Sequence, residues 1–243
     1  MHNFYLLATV LYLIHNGKSQ EADHCFPSEF LESLSMSMKI TKAGFHRDLL
    51  YTVEWGEVDH DVKALLVQKL PSGVYMDEYQ LETLRHDTGL EVLLDSKVDL
   101  EAPEYLSTGF TALVFLSGKH EATVPVHGRY HRPSDSGQER VTVELESPRL
   151  LVRSDQCDTL RAVSPPHEAT EAPCAVSNHS VCSWLEIRRL QNSNNLRQDT
   201  GSVSLEIPVG DSSMILSVCV GTVLTTALSC VFLLRSIWTH GTF

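Results

Sequence analysis

The stretch Val141-Thr142-Val143-Glu144-Leu145 alternates apolar and polar side chains, and Val203-Ser204-Leu205-Glu206-Ile207 repeats the pattern. In an extended chain successive side chains point to opposite faces, so every second residue of each stretch belongs to one buried face. Both stretches read as strands with one side on a core and the other in water. Further short runs rich in Val, Leu, Tyr and Thr fall at residues 49–55, 64–70, 91–94, 110–116, 122–130 and 150–152. Turn signals separate many of them, including Pro71-Ser72-Gly73, Ser117-Gly118 and Ser136-Gly137. Only residues 77–86 (DEYQLETLRH) have helical spacing, with Tyr79 or Gln80 leading to Leu81 and Leu84. Eight short strands and one short helix predict a mainly β, sandwich-like domain. Residues 165–195, where Ser, Asn, Pro and His are common, predict a long loop before the last strand. Residues 191–201 are polar throughout.

The ends of the chain differ from this middle. All 31 acidic residues lie between Glu21 and Asp211, and only Lys18 and Arg235 of the 19 basic residues lie outside that window. Residues 4–14 (FYLLATVLYLI) form an uncharged run of eleven, too short to span a bilayer but suited to a signal-peptide core. Gly17 and Ser19 stand two apart, which places cleavage after Ser19 and the signal peptide at 1–19. No Lys or Arg precedes the run, and a buried N-terminal strand or helix is the other reading. Residues 212–234 (SSMILSVCVGTVLTTALSCVFLL) are 23 without a charge. As a helix they reach ~34 Å, against a hydrocarbon core of ~30 Å. Arg235 follows at once, as expected of a cytosolic flank. A GPI-attachment signal fits less well, because the apolar run starts directly after Gly210 and Asp211 and nine residues follow it. The expected plan is a lumenal domain over 20–211, a transmembrane helix over 212–234 and a cytosolic tail over 235–243.

Ser213, Ser217, Gly221, Thr225 and Ser229 recur every four residues along that span. Small residues at this spacing let helix backbones approach closely in lipid. The row drifts by about 40° per step, so only Ser217, Gly221 and Thr225 are helix-packing candidates. Chance alignment of tolerated Ser and Thr is the alternative.

The net charge of -12 excludes a nucleic-acid binder, which needs a basic stripe to neutralise phosphates. A hydrophobic share of 42% with 21% charged residues excludes a disordered chain and a polytopic membrane protein alike. Of the six cysteines, Cys219 and Cys230 lie in the span. Cys25, Cys157, Cys174 and Cys182 are lumenal, an even number in an oxidising compartment, and so are disulfide candidates. Three connectivities are open. Cys174 with Cys182 is the short-loop option, which leaves Cys25 with Cys157. Zinc is the rival, but no pair has the two-residue spacing of a structural site. The sequon Asn178-His179-Ser180 lies inside the Cys174–Cys182 interval and makes Asn178 a glycosylation candidate on an exposed loop.

Chemistry is hard to find. His127 and His131 stand four apart, a metal spacing on a helix, but Pro125, Gly128 and Pro133 make this strand and turn. Residues four apart on a strand span about 13 Å, so a strand-edge histidine pair is expected and no metal site. No nucleophile elbow, phosphate loop or dinucleotide fingerprint occurs. Asp59 and Asp61 around His60, and Asp77 with Glu78, are acidic pairs of the kind a solvated surface carries. The residues imply no catalytic set, no cofactor and no metal.

Short words are more specific. Residues 44–50 (GFHRDLL), 71–79 (PSGVYMDEY), 101–105 (EAPEY), 125–133 (PVHGRYHRP), 172–174 (APC), Cys182 with Trp184, and 207–210 (IPVG) occur in this order. In these words the chain resembles the PIG-X family, the accessory subunit of GPI mannosyltransferase I in the endoplasmic reticulum, from about Cys25 through the span. The resemblance implies a non-catalytic subunit that binds and stabilises a PIG-M-like polytopic enzyme, which adds the first mannose to the GPI-anchor precursor. It implies a single-pass type I protein of that membrane, in contact with lipid and with its partner. The rival from another class is a cell-surface receptor or adhesion protein with a β-sandwich ectodomain. Against an immunoglobulin unit, Trp55 falls between Cys25 and Cys157, which lie 132 residues apart. A membrane-tethered hydrolase lacks a nucleophile or metal set.

Overall fold

The computed structural model describes residues 25–118, 120–157, 167–188 and 202–241. The signal peptide expected at 1–19 lies outside the described residues, as does the whole polar stretch 191–201.

Strands β1 (Ser35–Thr41), β2 (His46–Glu54), β7 (Glu121–Gly128) and the two-residue β4 (Val74–Tyr75) form one antiparallel sheet in the order β1-β2-β7-β4. A second sheet has the order β10-β11-β9-β3-β6-β5. It comprises β3 (Lys63–Leu70), β5 (Glu91–Leu94), β6 (Phe110–Ser117), β9 (Arg149–Arg153), β10 (Glu168–Ala175) and β11 (Asn178–Glu186). A ribbon of β8 (Arg140–Leu145) and β12 (Val203–Pro208) completes the domain, with β12 touching β1.

The core lies between these layers. Leu49, Tyr51 and Val53 of β2 and Val124 and Val126 of β7 meet Ala64, Leu66, Ala112, Val114 and Val152 of the larger sheet. The two stretches with clearest alternation pair with each other, Leu205 opposite Val143, and put Val143, Leu145, Leu205 and Ile207 inward. Inside the core Tyr51 donates its hydroxyl to Gln68 Oε1 at 3.2 Å, and the Gln68 amide donates to the carbonyls of Lys69 and Glu146. Gln68 is fully buried because every polar atom it carries has a partner.

Strand β3 is buried on both faces. Its neighbours β6 and β9 flank it, and Leu65 and Val67 point away from the main core into a second cluster with Phe115, Leu151 and Trp184. The chain over 168–186 supplies the cover: β10 and β11 form a hairpin, not the loop expected over 165–195. Its composition hides it, since Glu168–Ala175 (EATEAPCA) has no large apolar residue and no period-2 pattern and lies at a sheet edge. Trp184 anchors the hairpin outside while its neighbour Leu185 enters the main core, the two faces of one strand. The structure joins Cys174 to Cys182 across this hairpin and Cys25 to Cys157, which fastens the start of the described domain to the segment that follows β9.

Sequence expectation also passed over α1 (Ser28–Ser33), which buries Phe30, and strand β1, whose inward side chains are Met36 and Met38. Helix α2 (Glu78–Thr88) begins at Asp77, whose carboxylate accepts from the Tyr79 and Gln80 amides, and ends at Gly89 in the left-handed region at φ 68°. Helix α3 (Ile215–His240, 26 residues) takes in the apolar run from Ile215 onward and continues through Arg235, while the first three residues expected in the span, Ser212–Met214, form a 3₁₀ turn.

Candidate functional site

Five of the words in the sequence, spread over roughly 500 Å of extended chain, come together at the end of the domain next to helix α3. Lys42 and Gly44 both have positive φ, 65° and 83°, and the Arg47 guanidinium closes this turn by donating to the Lys42 and Gly44 carbonyls. The turn delivers Phe45, whose carbonyl accepts from Gly128 N–H at 2.7 Å. Gly128 sits tightly, since a Cβ there would stand 3.0 Å from Ile207 Cδ1 and push that side chain aside. Gly73 accepts from Arg129 N–H at 2.9 Å, and its own Cβ would fall 2.8 Å from Val143. Glu104 N–H donates to the Tyr130 carbonyl at 2.9 Å, and Ser72 donates to the Glu104 carboxylate. The word IPVG closes the group where Ser134 N–H donates to the Gly210 carbonyl at 2.8 Å.

At its centre is His127, in register with His46 on one side and Tyr75 on the other. His127 does not pair with His131, which lies beyond the strand and hydrogen-bonds the Arg129 carbonyl instead. Nor is it at a strand edge, since β7 runs between β2 and β4. Its Nδ1 lies 2.7 Å from His46 Nδ1 and its Nε2 2.9 Å from Gln80 Oε1. An amide oxygen only accepts, so His127 Nε2 carries hydrogen and Nδ1 accepts from His46. A second proton on His127 would require His46 to give up its own Nδ1 hydrogen and accept instead. Burial, then the neighbouring His46, accordingly hold the His127 imidazole below the usual histidine range. Tyr75 stacks on His127 with ring centroids 5.0 Å apart, and burial pushes its phenol up. The Arg129 guanidinium lies over the Tyr75 ring at 4.8 Å and donates to the Ala102 carbonyl.

This arrangement holds elements together and does not activate a nucleophile. Both nitrogens of His127 are engaged, and the rings of His46, His127 and Tyr75 with Arg129 tie β2, β7, β4 and the 101–105 segment into one knot. Nothing local in the sequence pairs His46 with His127, 81 residues apart. Gln80 was legible only as a helix residue and Arg129 only as part of the 125–133 word, and nothing local marked either as a partner of His127 or Tyr75.

The other candidates lie elsewhere. Among the described residues, one group has metal-ligand geometry, namely Cys25, His60 and Cys157. There the two sulfurs are bonded to each other, which uses the ligands a metal would need, and His60 stands 3.9 Å from Cys25 Sγ. The words APC and Cys182–Trp184 belong to the β10–β11 hairpin. Asn178 begins β11 just past its turn. Ser217, Gly221 and Thr225 all lie on α3 and none is covered by the domain. The Thr225 hydroxyl donates to Gly221 and Thr222 carbonyls of its own helix, so it needs no outside acceptor.

A family model described as PIG-X / PBN1 matches residues 42–238. The chain is similar to a Homo sapiens protein named GPI alpha-1,4-mannosyltransferase I, stabilizing subunit, at 33% identity over 220 residues, covering 86% of this chain and 81% of that one. A Rattus norvegicus protein of the same name is 30% identical over 218 residues, with 86% and 83% covered. No solved structure matches the chain.

Proposed function

The chain belongs to the PIG-X / PBN1 family, and from that premise we propose that its lumenal domain and helix α3 together brace a PIG-M-like polytopic mannosyltransferase. Its role is that of a non-catalytic, stabilizing subunit of GPI mannosyltransferase I. It acts in the endoplasmic reticulum membrane as a single-pass type I protein with the N-terminal domain in the lumen. The observation that carries the proposal is helix α3 itself, 26 residues long with no residue buried against its own domain. A helix so placed has its whole surface free for lipid and for a neighbouring helix.

The contact we assign on it is Ser217, Gly221 and Thr225. A side chain added at Gly221 would meet nothing within 4 Å in this chain. Gly221→Ile therefore leaves the subunit's own fold intact, and any loss of co-purification with the mannosyltransferase comes from the partner side. Leu224→Ile is the control. Equal recovery of both variants would move the contact to the lumenal domain. In cells lacking the chain, the catalytic subunit should fall in abundance and GPI-anchored surface proteins with it, and overexpressing that subunit alone should restore part of the activity. Normal levels of the catalytic subunit in such cells would contradict a stabilising role. We assign a glycan to Asn178, tested by loss of the glycosidase-sensitive mass in Asn178→Gln.

A further inference from the structure

The domain does not hang from its membrane helix on a free linker. Ser134 donates to the Gly210 carbonyl, Ser212 N–H donates back to the Ser134 carbonyl at 3.1 Å, and Ser134 and Asp211 form a parallel bridge. Asp211 then caps a short 3₁₀ turn, Ser212–Met214, by accepting from Ser213 N–H at 2.8 Å, and α3 starts at once. The loop ending at Ser134 is thereby held against the first turn of the span.

That loop and the adjoining 3₁₀ turn Glu104–Leu106 leave large side chains in water. Tyr130 and Leu106 are each 73% exposed and Tyr105 46%. The Arg132 guanidinium lies over the Tyr105 ring at 4.5 Å, and Phe45 packs on Tyr130 at 5.0 Å. A bilayer of ~40–45 Å with a ~30 Å core leaves a headgroup layer of roughly 5–8 Å on each side. Ser212 precedes Ile215 by ~5 Å at 1.5–2.0 Å per residue, which puts it, and Ser134 bonded to it, in that layer. Tyr130 is at most ~14 Å of extended chain from Ser134.

We propose that this surface rests on the lumenal leaflet, with Tyr105, Leu106 and Tyr130 in the headgroup layer and Arg132 against lipid phosphate. Tyrosine favours that layer because its ring is apolar and its hydroxyl hydrogen-bonds. Arg132 offers a forked donor to phosphate oxygens from the edge of a guanidinium whose face lies on the Tyr105 ring. Asp135 is exposed close by in sequence, so the rings and Leu106, rather than net charge, supply the contact. The proposal depends on α3 spanning the membrane and not on which enzyme the chain serves.

The test uses the full chain with Cys219 and Cys230 replaced by Ala, a nitroxide at Leu106→Cys or Arg132→Cys, and phosphatidylcholine nanodiscs containing a nickel-chelating headgroup lipid. The control label is at Glu57→Cys, an exposed site past the far end of β2, a strand whose nine residues span ~30 Å. An unchanged thermal midpoint shows that each variant folds. Nickel should relax the labels at 106 and 132 at least fivefold more strongly than the one at 57. Equal relaxation at all three sites overturns the proposal. So does weak relaxation at 106 and 132 combined with immobilisation of those labels when the catalytic subunit is co-reconstituted, which would assign the surface to that protein.

Discussion

In the β-domain Leu49, Tyr51, Val53 and Leu66 are fully buried, whereas in helix α3 Leu216 and Leu228 are 75% and 70% exposed. Both regions are rich in the same aliphatic side chains, but they meet different solvents. The domain removes its apolar groups from water by folding them against one another, so its stability is its own. The helix leaves them outside because lipid is already apolar, and association there comes from packing and small residues. A stabilising subunit built this way has one part that must hold itself together and another that is completed only by its surroundings.

Several substitutions would break or sharpen that contrast, beginning with the largest effect. The Cys25–Cys157 bridge closes a loop of 132 residues and Cys174–Cys182 one of 8. On the loop-entropy scale these differ, about 5 kcal/mol against about 2.5 kcal/mol. Cys25→Ser should therefore destabilise the domain about twice as much as Cys182→Ser, measured by denaturant unfolding of the detergent-solubilised chain. The reverse order would show that the hairpin, not the terminus, is the weak point.

Trp184→Ala removes the anchor of the outer cluster and should cost ~3–5 kcal/mol. A fall in Tm on the order of 10 °C follows for a chain of this size, with the circular-dichroism signal of α3 unchanged. Tyr51→Phe leaves Gln68 Oε1 without its donor in a dry core and should cost ~1–3 kcal/mol.

His127 gives a pH dependence whose sign is determined. Its folded pKa lies below the unfolded value, so the unfolded chain binds the extra proton more readily. Stability is full above the unfolded pKa of about 6.5 and is lost as pH falls from there toward the folded value. Melting curves at pH 7.5, 6.5 and 5.5 should show a steeper decline for the parent than for His127→Gln. At the small end, Gly221→Ile should leave the domain's Tm unchanged while reducing co-purification with the enzyme. A lowered Tm would mean that helix and domain are not independent.

Much of the architecture was legible locally. The period-2 stretches 141–145 and 203–207 became β8 and β12, and the run 91–94 became β5 with the same ends. Strand β1 was readable in principle, since Met36, Met38 and Ile40 alternate with Ser37 and Lys39, but methionine lacks the branched profile that marks a strand. The hairpin over 168–186 was not. Its outer strand sits at a sheet edge where little is buried, and it is held by a disulfide and by Trp184 docking on a distant surface.

What the sequence determined by itself is whatever depends on neighbours: strand periodicity, the Asp77 cap and Gly89 stop of α2, and the uncharged span of 23 residues. The tertiary structure alone decided which strands lie side by side, and therefore that His127 meets His46, that Gln80 completes its hydrogen bonding, and that Ser134 clasps Gly210 beside the membrane. Each of these contacts joins residues 47 to 81 apart in the chain. Sheet register sets them, and register is a property of the paired surfaces, which no local stretch of chain contains.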